Sequence, residues 1–373
     1  MILKHTLATT CISLLVTLSA VAQTTEKSLQ TKCITVADGE TITIEAGTFN
    51  FSKSISLESK KNIIIKGAGM DKTIISFKGQ TSGAEGFKIS NATNITLQDI
   101  TIQDAKGDAV KTMNIDGISF INVKTEWTGK PKASNGAYGL YPVSCKNVLI
   151  DGCVAIGASD AGIYVGQSQN IIVRNCKAIH NVAGIEIENS LYADVYNNES
   201  YDNTGGVLVF DLPDLKQKKG GYVRVYNNKI LHNNFDNFAP KGNIVAKVAK
   251  GTGVLVLATS NVEIFNNEII NNNSMTVGII SYYMTENPIK DKEYNPYPNS
   301  IFIHDNNFER ENIRPIAKGR LGQIYKFKLR FGKDVPHILY DGIINPTTKN
   351  ADGSIKTEQR ICIKNNKNES FVN

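Results

Sequence analysis

The sequence predicts an all-β solenoid of about ten coils, with long loop excursions between coils and capping segments at both ends. Two observations carry that expectation. Asn147-Val148-Leu149-Ile150-Asp151-Gly152-Cys153 returns as Asn170-Ile171-Ile172-Val173-Arg174-Asn175-Cys176, and again around Val195-Tyr196-Asn197-Asn198, at a spacing of 22 to 23 residues. A fixed period of that length is the mark of stacked repeats, each too small to bury its own apolar face. Within a coil, apolar and polar residues alternate, as in Ile185-Glu186-Ile187-Glu188 and Val262-Glu263-Ile264-Phe265. That is the period of strands with one buried face.

One apolar anchor per coil can be placed at Ile65, Leu97, Phe120, Ile150, Val173, Val195, Val225, Ile264, Ile303 and Ile363. Three residues beyond each anchor stand Ala68, Ile100, Val123, Cys153, Cys176, Asn198, Asn228, Asn267, Asn306 and Asn366. Coils stacked about 4.8 Å apart would turn these into one column, with interior asparagines bonded to one another and to the turn backbone. Gly139, Gly162, Gly184, Gly206, Gly253 and Gly278 mark a second corner, read as a bend at positive φ.

Residues 1–22 have the layout of a cleavable leader: Lys4, an apolar run from Cys11 to Leu18, then Ala20 and Ala22 before Gln23. Export to the periplasm or the extracellular space is expected, with no transmembrane segment. Residues 23–373 form one β-helix unit in this reading, with the N-terminal cap and first coil at about 33–62, regular coils at about 63–307 and an irregular last part at about 308–373. Removal of the leader leaves Cys33, Cys145, Cys153, Cys176 and Cys362. No zinc spacing exists among them, and Cys153 and Cys176 are expected to stack as free thiols.

The net charge is +6, or +5 without Lys4, and cations are concentrated between Arg310 and Lys333. Outside a cell a basic surface points to an anionic glycan rather than to nucleic acid. The excursions at 126–136, 211–221, 233–250 and 284–299 fall on the two edges of the strands that follow the glycine corner. They would wall a groove of the kind that grips an extended polymer.

Alternation then assigns the groove floor. Ile163, Val165, Ile185 and Ile187 point inward, while Tyr141, Tyr164, Glu186, Glu188, Leu208 and Phe210 point out. Glu186 and Glu188 share a face, close enough to raise one another's pKa or to hold Ca²⁺ together, and Tyr164 lies below Glu186 on the preceding coil. The candidate catalytic residues are therefore Tyr164, Glu186 and Glu188, with the two glutamates also the candidate Ca²⁺ ligands. Tyr138, Tyr141, Trp127, Lys130, Lys216 and Lys218 are the candidate substrate-binding residues, since aromatic rings meet sugar faces and lysines meet carboxylates.

These coils resemble the right-handed parallel β-helix proteins of the pectin-lyase-like superfamily, including an uncharacterised family of exported bacterial β-helix repeat proteins. Tyr138-Gly139-Leu140-Tyr141-Pro142-Val143 is similar to a segment of mannuronan epimerases that carries a catalytic Asp-Pro-His. Here the Asp and His positions are Tyr141 and Val143, so the resemblance implies the fold and speaks against epimerisation by that route. The expectation is an exported protein that binds an anionic, uronate-containing polysaccharide and, if an enzyme, cleaves it by β-elimination. A noncatalytic envelope or extracellular partner of another exported protein is the alternative, and glycoside hydrolysis a further one.

Overall fold

A computed structural model describes residues 23–372; the expected leader lies outside the described residues. The chain winds as a parallel solenoid whose strands fall into two sheets, of 19 and 11 strands. A representative coil places Ala161–Gly166 in the shorter sheet, then Gln169–Arg174 and Lys177–Ile179 in the longer one, which bends between them. All ten predicted anchors stand in one register, from Ile65 beside Leu97 to Ile303 beside Ile363. The first nine are fully enclosed.

Three sharp corners close each coil, and each uses a left-handed residue followed by an inward one: Gln167 and Ser168, Asn175 and Cys176, His180 and Asn181. The inward positions build ladders. Asn198, Asn228, Asn267, Asn306 and Asn366 form the predicted one, each backbone N–H and side-chain Nδ2 donating to the next Oδ1 at 2.8 to 3.1 Å. A second ladder, through Asn181, Asn203, Asn233 and Asn272, was not anticipated and has the same geometry. Upstream, Cys153 and Cys176 continue the first column as buried free thiols, as expected.

The glycine corner differs from expectation. None of its six glycines adopts positive φ. A Cβ on Gly139 would instead meet the Gly162 carbonyl oxygen at 2.3 Å, and one on Gly184 would meet the Ser200 hydroxyl at 2.1 Å. Close approach of the next turn, not backbone freedom, excludes side chains there. Gly278 is out of this column altogether, since it pairs with Leu255.

The ends also differ from expectation. The cap begins with a helix at Glu26–Thr35, opened by a Thr25 capping box and burying only Leu29 and Cys33. Such sparse apolar content hid it from periodicity. Gln30 both donates to the Ser56 carbonyl and accepts from the Ser56 N–H, at 3.0 and 2.9 Å, so the helix satisfies the edge of the first strand of the shorter sheet. At the other end Tyr325 packs with Leu321, Ile324 and Phe331 over the shorter sheet, while Phe327 is exposed. This part of the expected C-terminal capping segment covers the face of that sheet rather than the end of the solenoid.

That cover is the main departure from the predicted groove. Leu208, Phe210, Leu255 and Leu257 on the outer face form a second apolar cluster with Val245, Val248, Tyr282, Tyr294 and Tyr325 from the excursions. Apolar side chains on both surfaces drive the loops down onto the sheet, so they roof its later coils rather than wall an open channel. Among the described residues no helix is long and apolar enough to cross a membrane.

Replacing Asn228 by Leu tests the ladder, because it strands both donors of Asn198 that end on its Oδ1. Equilibrium unfolding is expected to show a loss of about 2 to 5 kcal/mol, the cost of two unsatisfied buried donors.

Candidate functional site

Stacking dictates which side chains meet on the outer face of the shorter sheet. One outward column runs Lys88, Lys111, Tyr141, Tyr164, Glu186, Leu208, and its neighbour runs Gly166, Glu188, Phe210. Polar and aromatic residues occupy the earlier coils and apolar residues the later ones. The two glutamates stand at the boundary, where the cover begins.

Tyr164 does lie beside Glu186 in register, but its hydroxyl donates to Glu188 Oε1 at 2.6 Å. Gly166 permits this: a Cβ there would fall 2.3 Å from the Tyr164 hydroxyl, so the missing side chain opens the path along the strand. Tyr138, Tyr141 and Tyr164 form a trio with ring centroids 4.5 to 5.0 Å apart. Asp160, which the sequence reading passed over, joins them, accepting from Asn243 Nδ2 at 3.0 Å and from the Tyr138 hydroxyl at 3.4 Å.

The site is an acid cluster almost closed to solvent. Glu186, Glu188 and Asp160 are 1%, 7% and 5% exposed, and Tyr164 is 4% exposed. Burial raises the Glu186 carboxyl well above its usual range, and the charges of Asp160 and Glu188 push it further. Burial raises Glu188 to about 7, opposed by the Tyr164 hydrogen bond. Asp160 also rises to about 7, through burial and then through the charge of Glu188. Among the described residues Glu186 Oε2 has no hydrogen-bond partner. The Tyr164 phenol is pushed up by burial and by Glu188, so at neutral pH it is a donor of protons, not a base.

The remaining candidates separate. Tyr138 and Tyr141 are half-buried at the mouth of the cluster, with the Lys111 ammonium 4.8 Å from the Tyr141 ring centroid. Lys111 also lies 3.8 Å from Asp108 and 3.9 Å from Glu85. Trp127 is not on a groove wall: it is 5% exposed, packed in the main core, and its indole N–H donates to the Ala105 carbonyl at 2.7 Å. Lys130 is exposed on its excursion. Lys216 borders a shallow recess of about 200 Å³ with Lys146, Gln167 and Gln169, and exposed Lys218 is held by Asp291 at 2.5 Å. In the basic segment, Arg320 pairs with Glu286 and Arg310 donates to the Val335 carbonyl, so these two cations are turned away from the acids.

Ca²⁺ does not fit the glutamate pair. The ion takes six to eight oxygen ligands, whereas Glu188 is engaged by Tyr164 and the flanking column positions are Leu208 and Phe210. Among the described residues no group of three His, Cys, Asp or Glu side chains is placed to hold a metal ion.

Comparison with known proteins agrees with the geometry of the coils. Residues 117–293 match the family model described as right handed beta helix region. A pre-neck appendage protein of Bacillus phage B103 is 28% identical over 211 residues, 47% of this chain and 24% of that protein, so the chain spans about a quarter of that relative. The A-module of a mannuronan C-5 epimerase from Azotobacter vinelandii superposes with a TM-score of 0.54 at 14% identity, covering 89% of this chain and 87% of that one. An exopolygalacturonase from Thermotoga maritima superposes with a TM-score of 0.50 at 14% identity, covering 74% and 77%. At such identities the likeness is one of fold.

The raised carboxyls make stability depend on pH. Below about pH 4 folded and unfolded chains are both protonated at these groups. As pH rises from about 4 to 7 the unfolded chain ionises while the folded cluster resists, so stability falls, levelling once the folded carboxyls ionise as well. Thermal melts of Glu186→Gln are expected to show a gain of about 1 to 3 kcal/mol near pH 8 and no gain near pH 4.

Proposed function

From a chain folded as a right-handed parallel β-helix, we propose that it engages an anionic, uronate-containing polysaccharide on the outer face of the shorter sheet and cleaves it by β-elimination at the acid cluster. The observation that carries this is the burial of Glu186, Glu188 and Asp160 near enough for their charges to act on one another, with no hydrogen bond or ion pair to a lysine or arginine among the described residues. Burying several carboxyls in this way costs several kcal/mol, and the neighbouring column positions hold Tyr141, Leu208 and Phe210, so the fold does not demand acids here.

The polymer would lie over the earlier coils, its carboxylates facing Lys88 and Lys111 and its sugar faces on Tyr138 and Tyr141. The cover over Leu208 and Phe210 stops it at the glutamates, which favours attack at a chain end. Protonated Glu186 donates a hydrogen bond to the uronate carboxylate and so acidifies the adjacent C5–H. Ionised Glu188 takes that proton, the C–H electron pair forms the C4=C5 double bond, and the C4–O bond breaks. The leaving oxygen takes the Tyr164 phenolic proton, which Glu188 returns across their 2.6 Å hydrogen bond. Export, expected from the leader, would put the protein where such polymers are met.

The near-complete burial of the same residues favours a second reading, in which the site is closed and the protein is a noncatalytic glycan-binding or partner protein of the envelope or extracellular space. Incubation with alginate, pectate and glycosaminoglycans separates the two. β-Elimination produces the ultraviolet absorbance of an unsaturated uronate, with a rate that rises with pH through about 7 as Glu188 ionises. Tyr164→Phe is expected to lower that rate by about 10² to 10⁴. Binding without new absorbance or new reducing ends supports the noncatalytic reading, and reducing ends without absorbance identify a hydrolase instead.

A further inference from the structure

The longer sheet carries a second feature, on a different face from the acid cluster. Asn147, Asn170, Tyr192, Tyr222, Asn261 and Ser300 form one column, and all six have φ between 52 and 59°. Asparagine accepts this left-handed geometry readily, whereas for a bulky residue it is an outlier. Nevertheless two consecutive coils place tyrosine there, 56% and 54% exposed, with rings stacked at 5.1 Å. Strained backbone carrying large exposed side chains is retained where those side chains do something.

The shape beside them is specific. Stacked rings turn their faces along the column, and after Tyr222 the column drops to Asn261 and Ser300. That step opens a recess of about 480 Å³ lined by Tyr222, Asn261, Arg224, Glu263 and Phe302. Beyond the adjacent column of Asp194, Arg224, Glu263 and Phe302, Tyr196, Tyr226, Phe265 and His304 stack at 4.8 to 5.1 Å. His304 is pinned between Asp305 at 2.7 Å and Glu263 at 3.1 Å. Arg224 is held by both oxygens of Asp194 at 2.7 Å.

The electrostatics define the ligand. The Arg224 charge is met by Asp194, and Glu263 leaves the recess with an acid excess, which disfavours a polyanion. An aromatic face beside a floor of fixed amide, carboxylate, hydroxyl and guanidinium groups matches a molecule with a C–H face and hydroxyl edges. We propose that this recess binds a neutral pyranose residue of a glycan, stacked on the free face of Tyr222 and hydrogen-bonded to Asp194, Arg224, Asn261 and Glu263. The site stands apart from the acid cluster and does not depend on its chemistry.

Titration calorimetry of the full chain with neutral gluco-, galacto-, manno- and xylo-oligosaccharides tests it. One series is expected to bind, and Tyr222→Asn to weaken that binding by at least about tenfold. Because asparagine suits φ near 56°, the same variant is expected to keep or raise Tm, which separates a lost contact from a damaged fold. Glu188→Gln should leave neutral-sugar binding intact even if uronate cleavage is absent in every form of the protein. The proposal is overturned if no series binds, if Tyr222→Asn binds as the parent does, if Tm and binding fall together, or if sedimentation shows the tyrosine face joining two copies of the chain.

Discussion

Everything in this molecule depends on the stacking of parallel coils about 4.8 Å apart. At that spacing each side chain is flanked by the same position one coil before and one coil after. Asparagine suits the interior corners because its amide both accepts from one coil and donates to the next, as Asn228 does between Asn198 and Asn267. The same constraint acts against any position that carries charge. Glu186 cannot avoid the neighbours that stacking and the roofing excursions impose, and Tyr164 and Leu208 flank it in its column.

That constraint also explains what the sequence revealed and what it concealed. The anchors, the first asparagine ladder and the stacked thiols are periodic, so one coil informs the next. The direction of Glu186 and Glu188 followed from alternation alone. Their burial did not, because it rests on contacts with no local signature: Asn243 reaches Asp160 across 83 residues, and the Tyr294 hydroxyl reaches the Asp211 carbonyl across the same separation. Trp127 was misplaced for the same reason, since the core beneath the excursion, not the excursion, holds its ring. Conversely, the tyrosine face was written openly in Tyr192-Ala193-Asp194-Val195-Tyr196 and Tyr222-Val223-Arg224-Val225-Tyr226.

The two proposed sites divide by electrostatics as well as by position. On the shorter sheet, cations at Lys88 and Lys111 lead towards acids whose carboxyls burial raises, the arrangement on which the proposed uronate chemistry rests. In the recess on the longer sheet Arg224 is paired with Asp194, Glu263 leaves an acid excess, and the exposed rings of Tyr192 and Tyr222 stand beside them. A polymer with both uronate and neutral residues would satisfy both faces, and the solenoid supplies the rigid spacing between them.

Burial holds Glu186 protonated on the outer face, and both the pH dependence of stability and the proposed acid–base chemistry rest on it. Carbon-13 resonances of glutamate side-chain carboxyls, followed through a pH titration of the folded protein, test it directly. At least one glutamate is expected to stay protonated far above the ordinary carboxylate range and to vanish from the spectrum in Glu186→Gln. Titration of every glutamate within the ordinary range would contradict it.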